Sequence, residues 1–222
     1  MSVEFNAVEI QEKVRDEIGL VLTQVQAERL ALFASLLLKW NKAYNLTSIK
    51  NPEEVVRLHI ADSLTLVQNF DELAGTVKCV LDVGSGGGLP AIPLAIMRPD
   101  LDITMVDAVQ KKTIFQRQAC LTCHLSNAKA LHARIESLSG RKYDVITSRA
   151  FASLKDMVAL TRSLLSDNGR WLAMKGKLPE EEIKDLPNDV EVEKQVRLTL
   201  GKGEIDRVLI VLKRKDCGGA LI

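Results

Sequence analysis

One short stretch limits what this chain can become. Val80-Leu81-Asp82-Val83 is an apolar, β-branched run, and it passes directly into Gly84-Ser85-Gly86-Gly87-Gly88-Leu89-Pro90, after which Leu89 to Met97 has a helical pattern. Glycines in a strand-to-helix turn let the backbone bend sharply and meet a ligand with no Cβ in the way. Two nucleotide loops of this kind do not fit. A phosphate-binding loop ends in Gly-Lys-Ser/Thr, which is absent. A dinucleotide fingerprint needs a third glycine where Leu89 stands.

The segments around the loop alternate. Strands are expected at Lys78 to Val83, Ile103 to Val106, Ala128 to His132, Tyr143 to Thr147 and Gly169 to Met174, with helices at Val109 to Cys123 and Ser153 to Leu165 between them. Such alternation implies a parallel sheet covered on both faces. The end differs: Glu191 to Leu200 and Arg207 to Lys213 read as strands joined through Gly201-Lys202-Gly203, an antiparallel pair. A parallel core closed in this way is the layout of class I S-adenosylmethionine-dependent methyltransferases, whereas a nicotinamide domain finishes with a sixth parallel strand. The expected fold class is therefore α/β and Rossmann-like, with an N-terminal helical extension. Before residue 75 the periodicity is helical. Leu30, Phe33, Leu37 and Trp40 share a face, and Asn51-Pro52 reads as a cap followed by a first-turn proline. About three helices are expected there. Residues 1–24 match no pattern and read at most as a variable helix. The expected division is a helical segment, 1–75, packed on a catalytic domain, 76–222.

The acid-x-Gly-x-Gly-x-Gly pattern of Asp82, Gly84, Gly86 and Gly88 is that of an S-adenosylmethionine loop. This ligand carries no phosphate, and an acid such as Asp82 can hold its ammonium. Asp107 ends the second expected strand, 21 residues after Gly86. It can accept both ribose hydroxyls of an adenosine group or cap the next helix.

Four blocks extend this reading. They are Lys39-Trp40-Asn41-Lys42-Ala43-Tyr44-Asn45-Leu46-Thr47, Arg57-Leu58-His59-Ile60-Ala61-Asp62-Ser63, Arg134-Ile135-Glu136, and Ser148-Arg149-Ala150-Phe151-Ala152-Ser153-Leu154, closed by Lys175-Gly176. In this order, across roughly residues 25–213, the chain resembles the small-subunit (16S) ribosomal RNA guanine-N(7) methyltransferases, the glucose-inhibited division protein B family. Ala91 departs from the glycine many members carry. The resemblance implies S-adenosylmethionine as cofactor and one guanine of 16S ribosomal RNA, in free RNA or an assembling small subunit, as substrate. By position it implies that Gly84, Leu89, Ile135, Glu136 and Arg149 belong to the cofactor site, joining Asp82, Gly86 and Asp107.

The N7 atom of guanine has a free lone pair, so no base must remove a proton and alignment does most of the work. The chain lacks the Asn/Asp-Pro-Pro-aromatic block of exocyclic-amine methylation, and no cysteine follows a proline as in carbon-5 cytosine methylation. Arg149 and Lys175 are the catalytic candidates. Arg149 can fork onto the cofactor carboxylate or the RNA backbone, or form a surface ion pair. Lys175 can contact phosphate or stand as an ordinary strand-end lysine. Phe151 can stack on a base or belong to the core. His59 and Ser63 share a helix face, with Asp62 beside them, and read best as a polar network tying the helices to the sheet.

The formal net charge of +1 excludes nucleic-acid binding by bulk charge. A local patch is needed, with Arg57, Lys111, Arg149 and Lys175 as candidates. Cys120 and Cys123 form a Cys-x-x-Cys without the further ligands a zinc site requires, and late in a helix they do not suit a redox pair; no metal is expected. Cys79 and Cys217 complete the cysteines. No start resembling a signal peptide and no membrane-length apolar run are seen, so a cytoplasmic protein is expected. A small-molecule methyltransferase, or a non-catalytic ribosomal RNA-binding assembly factor on the same fold, are the competing readings.

Overall fold

The computed structural model describes residues 4–203 and 205–215; Cys217 lies outside them. The sequence reading assigns nothing firm before Gln24, and here the structure adds an element. Asn6 accepts from the Glu9 amide and Gly19 adopts a left-handed conformation, bounding helix α1 (Ala7–Ile18), which buries Ile10 and Val14. Thr23 and Gln26 form a reciprocal capping box at the start of α2 (Gln24–Tyr44), whose Leu30, Phe33 and Leu37 are buried. Asn51 caps α3 (Pro52–Val55). The chain then winds through a π-helical segment, Val56–Ala61, into α4 (Asp62–Ala74).

Seven strands follow: β1 (Cys79–Val83), β2 (Asp102–Asp107), β3 (Ala128–His132), β4 (Tyr143–Arg149), β5 (Leu165–Lys175), β6 (Val190–Leu200) and β7 (Ile205–Arg214). They form one sheet in the order β3-β2-β1-β4-β5-β7-β6. Pairing is parallel from β3 to β5, and β7 runs antiparallel to both of its neighbours. Helices α5 (Ala91–Met97), α6 (Gln110–Thr122), α7 (Leu154–Thr161) and α8 (Glu180–Lys184) connect them. The strand order turns back between β1 and β4, so their carboxyl ends flank the crevice where open α/β sheets take ligands.

The N-terminal helices cover one face of this sheet. Phe33 and Leu37 of α2, Phe70 of α4, Phe115 of α6 and Val80 and Ile103 of the sheet belong to one buried cluster. Leu154 and Met157 of α7 and Trp171 of β5 lie in a second cluster on the opposite face. The helix expected over Ser153 to Leu165 is shorter than its pattern. It ends at Thr161, a 3-10 turn follows over Arg162–Leu164, and Leu165 already opens β5. The Thr161 hydroxyl holds that corner, donating to the Met157 carbonyl at 2.6 Å and accepting from Trp171 Nε1 at 2.8 Å.

Cys120 and Cys123 are buried near the end of α6 as free thiols. Burial pushes them up to about 11 and about 12, which leaves them unreactive. Among the described residues no group of side chains suits a metal ion, and no helix is long and apolar enough to cross a membrane.

Candidate active site

The Gly-rich loop leaves β1 at the sheet's turning point. Gly84 has φ +66°, and a Cβ there would stand 2.7 Å from Cδ2 of the Phe151 ring. Glycine is therefore required by conformation and by space together. Gly86 also has positive φ, +54°, but a Cβ on it would meet only the Gly84 carbonyl oxygen at 3.8 Å. The outer face of the loop at Gly86 is thus open, and the loop is pinned from behind. The Gly86 amide donates to Asp107 Oδ2 at 3.0 Å, and Gln116 Nε2 donates to the Gly86 carbonyl at 2.9 Å.

Two cavities flank this loop, and Gly84 lines both. The larger, about 590 Å³, is lined by Thr47, His59, Asp62, Leu89, Arg149, Lys175 and Arg207, among others. The smaller, about 190 Å³, includes Asp107, Ile135, Glu136 and Phe151. Ile135–Ser137 is a 3-10 turn after β3, which carries Ile135 and Glu136 to the crevice. Asp107 is occupied at both oxygens, since Oδ1 accepts from the Val109 amide at 2.9 Å. It holds the start of α6 and the loop at once. Phe151 lies against Gly84 in the smaller cavity, half-buried. It lines the smaller cavity and not the larger cleft.

Asp82 is fully buried, and among the described residues neither carboxylate oxygen has a hydrogen-bond partner, the Ser85 hydroxyl donating instead to the Asp82 backbone carbonyl at 2.9 Å. Burial raises its pKa to about 8, with the Arg149 charge pulling the other way. A carboxyl in this state is poised to ionise when a cation arrives.

Arg149, the last residue of β4, is tied into the helical segment. Its Nη1 donates to Asp62 Oδ2 at 3.0 Å and to the Leu58 carbonyl at 3.1 Å, and Nη2 lies 3.3 Å from His59 Nδ1. The π-helical segment makes this possible. The Asp62 amide donates to the carbonyls of Arg57 and His59, bypassing Leu58, whose oxygen turns to Arg149. A π-turn within a helix commonly marks such a site. A guanidinium can only donate, so a hydrogen bond from Arg149 to His59 Nδ1 requires the tautomer with the ring proton on Nε2, which faces Thr47 Oγ1 at 2.8 Å. His59 Nδ1 also lies 3.0 Å from the Leu58 oxygen, a partner only in the other tautomer. Burial, and then the Arg149 charge, lowers the His59 pKa to about 4, so the ring is neutral near pH 7.

Asp62, 2% exposed, is the centre of this network, because its Oδ1 accepts from Arg207 Nε at 2.8 Å. No more than three of the five Arg149 donors are used, which leaves Nε–H and an Nη2–H, the pair of donors that can receive a carboxylate. Arg149 is thus an interior anchor and not a surface ion pair. Ser63, read with His59 and Asp62, is buried with its hydroxyl unpartnered. Lys175 donates to Glu182 Oε2 at 2.7 Å and to the Ala152 carbonyl at 3.2 Å. Arg57 pairs with Glu17 at 3.1 Å and is absent from the lining of both cavities. Arg207 is a residue that sequence reasoning missed: it lies 145 positions from Asp62, and no local pattern marks it.

A buried carboxyl without a partner, an open loop face at Gly86 and a free guanidinium edge suit a ligand with ammonium and carboxylate ends, as S-adenosylmethionine has. The family model described as "GidB: rRNA small subunit methyltransferase G" matches residues 26–210. The chain belongs to the GidB family. A relative in Neisseria meningitidis serogroup B, called ribosomal RNA small subunit methyltransferase G, is 45% identical over 197 residues, covering 89% of this chain and 93% of its own. One of the same name in Leptothrix cholodnii is 43% identical over 200 residues, covering 90% and 92%. Solved structures resemble the GidB chain at the level of fold. TrmN of Thermus thermophilus has a TM-score of 0.55 at 19% identity, covering 87% of this chain and 68% of its own. Ribosomal protein L11 methylase of Lactobacillus delbrueckii subsp. bulgaricus has 0.55 at 16%, covering 69% and 78%.

Proposed function

We propose that this GidB-family protein transfers a methyl group from S-adenosylmethionine to the N7 atom of a guanine in small-subunit (16S) ribosomal RNA, in the cytoplasm. The observation that carries the site assignment is Arg149, fixed by Asp62, Leu58 and His59 with one donor edge free, at a loop that separates two cavities. When bound, the cofactor supplies an electrophilic methyl group on a sulfonium.

The chain's own residues bind and orient. Asp82 takes the ammonium end and Arg149 the carboxylate. Gly84, Gly86 and Leu89 form the loop wall, and Asp107, Ile135 and Glu136 form the adenosine pocket. The guanine enters the larger cleft. Because N7 already bears a lone pair, no side chain there needs to act as a base, and alignment supplies the rate. The methylated ring is cationic. His59 stays neutral beside it, and Asp62 together with the carboxylate that Arg149 receives offsets the two arginine charges, so the loaded cleft does not oppose that charge. Lys175, held by Glu182 at the cleft edge, contacts substrate phosphate. The helical segment, 1–75, and the catalytic domain, 76–222, each supply one wall of the cleft. The substrate is the RNA alone or within an assembling subunit.

Arg149→Ala tests the assignment. S-adenosylhomocysteine affinity is expected to fall by about 10- to 150-fold, the loss of charged hydrogen bonds, nearly independently of salt. RNA affinity and its salt slope are expected to stay as in the wild type. Normal cofactor binding with a shallower RNA salt slope would assign Arg149 to phosphate instead.

A further inference from the structure

Most cations of the cleft already have anionic partners. Arg149 and Arg207 share Asp62, and Lys175 is paired with Glu182. Among the described residues Lys175 is the one cleft cation placed to meet a phosphate, so the phosphates flanking the target nucleotide need other cations nearby. Between Arg29 and Pro52 the sequence contains Lys39, Lys42 and Lys50 and no acid, in a chain whose net charge is only +1. All three lysines are exposed.

Lys50 lies in the loop beside the cleft, Lys42 faces it from the end of α2, and Lys39 stands three residues before Lys42 on the same helix. Residues 45–51 leave the C-terminal end of α2. Thr47, Ser48 and Ile49 face the 590 Å³ cleft, while Lys42, Asn45 and Lys50 line a hollow of about 320 Å³ with Leu38 and Asn41. The wall between the two is held rigidly. Asn41 Nδ2 donates to the Ile49 carbonyl at 2.9 Å, and Asn41 Oδ1 accepts from the Thr47 amide at 2.8 Å. An aromatic surface adjoins it. Tyr44, 43% exposed, packs on Trp40 with ring centroids 5.1 Å apart, and Trp40 meets Phe115 edge-on at 5.6 Å.

We propose that the C-terminal end of α2 and the loop after it, with Lys39, Lys42, Tyr44 and Lys50, form a docking surface for the substrate RNA beside the methylation cleft. The lysines take backbone phosphates flanking the target nucleotide, and Tyr44 offers a face for an unstacked base. Basic side chains around an exposed aromatic ring are what single-stranded RNA requires. This inference rests on the RNA-methylating reading and extends it to how the RNA is held.

The test is the full chain carrying Lys39→Ala, Lys42→Ala and Lys50→Ala together, compared with the same three positions changed to Arg. Binding to small ribosomal subunits and to naked small-subunit RNA is measured across salt, with KM, kcat and S-adenosylhomocysteine affinity alongside. The alanine variant is expected to raise the KM for RNA and to flatten the slope of log affinity against log salt by about 0.7–0.9 per lost contact. Its kcat at saturating RNA and its cofactor affinity should match the wild type, and the arginine variant should restore the slope. Unchanged RNA affinity and slope in the alanine variant overturn the proposal. Weakened binding to the assembled subunit alone, with naked RNA bound as before, overturns it in favour of a protein contact. A flattened slope in the alanine variant of a protein that transfers no methyl group contradicts the proposed reaction and upholds the surface.

Discussion

Replacing Asp62 with Asn keeps the shape of the side chain at the centre of the site and removes its charge. In the native protein its two oxygens each receive an arginine, Arg149 Nη1 at 3.0 Å and Arg207 Nε at 2.8 Å. An amide has one acceptor and one donor group, so in either orientation one arginine loses its bond and faces an N–H. A charge-assisted hydrogen bond contributes about 1.5–3 kcal/mol. In a domain of this size that loss lowers Tm by roughly 2–4 °C per kcal/mol, a total of about 3–12 °C. Asp62→Ala removes both bonds and leaves two cations against a buried site, at a cost of about 3–5 kcal/mol. Arg149 still has the Leu58 carbonyl and His59 in Asp62→Asn, so S-adenosylhomocysteine affinity should fall by less than in Arg149→Ala. Thermal melts with and without the ligand, together with calorimetry, read both quantities. A melting temperature within about 1 °C of the wild type, with unchanged ligand affinity, would refute the bridge.

Two further outcomes follow from the loop. Asp82, raised by burial to about 8, is mostly protonated at pH 7 in the free protein, and a bound ammonium favours its ionised form. Ligand binding should therefore release a proton, and affinity should strengthen by up to tenfold per unit as pH rises from about 6 toward 8. Calorimetry in two buffers of different ionisation enthalpy measures that proton; equal release by Asp82→Asn would remove Asp82 from the explanation. Gly86→Val places a branched side chain at φ +54°, which costs about 1–2 kcal/mol in backbone strain, and fills the open face of the loop. A folded variant that binds S-adenosylhomocysteine as the wild type does would take Gly86 out of the site.

The parts of this protein that were readable in its sequence are those fixed by local physics. Gly84 and Gly86 announce the turn because their backbone angles suit few other residues. The strand and helix periods place β1 through β5 because burial on both faces imposes them. Helix α1 was equally local, with Asn6 at its start and Gly19 at its end, yet its short apolar stripe does not stand out from a variable segment. The polar centre of the site was legible only as a list of residues. That Asp62 meets Arg149 and Arg207 depends on contacts 87 and 145 positions apart. The Leu58 carbonyl is available only because the helix widens to a π-turn there, and residue types do not record that. Arg57 shows the same limit from the other side: a cation within a functional block, whose partner Glu17 lies 40 positions away.

Methyl transfer to one ring nitrogen of ribosomal RNA is tested most directly by incubating the protein with tritiated-methyl S-adenosylmethionine and small ribosomal subunits or their RNA from cells lacking this gene. The RNA is then mapped by reduction and aniline cleavage, which break the chain at 7-methylguanine. The expected result is label in the small-subunit RNA and one new cleavage site, both reduced in Arg149→Ala at a cofactor concentration that just saturates the wild type. Label confined to a small molecule, cofactor binding without any transfer, or labelled RNA that resists aniline cleavage would contradict it.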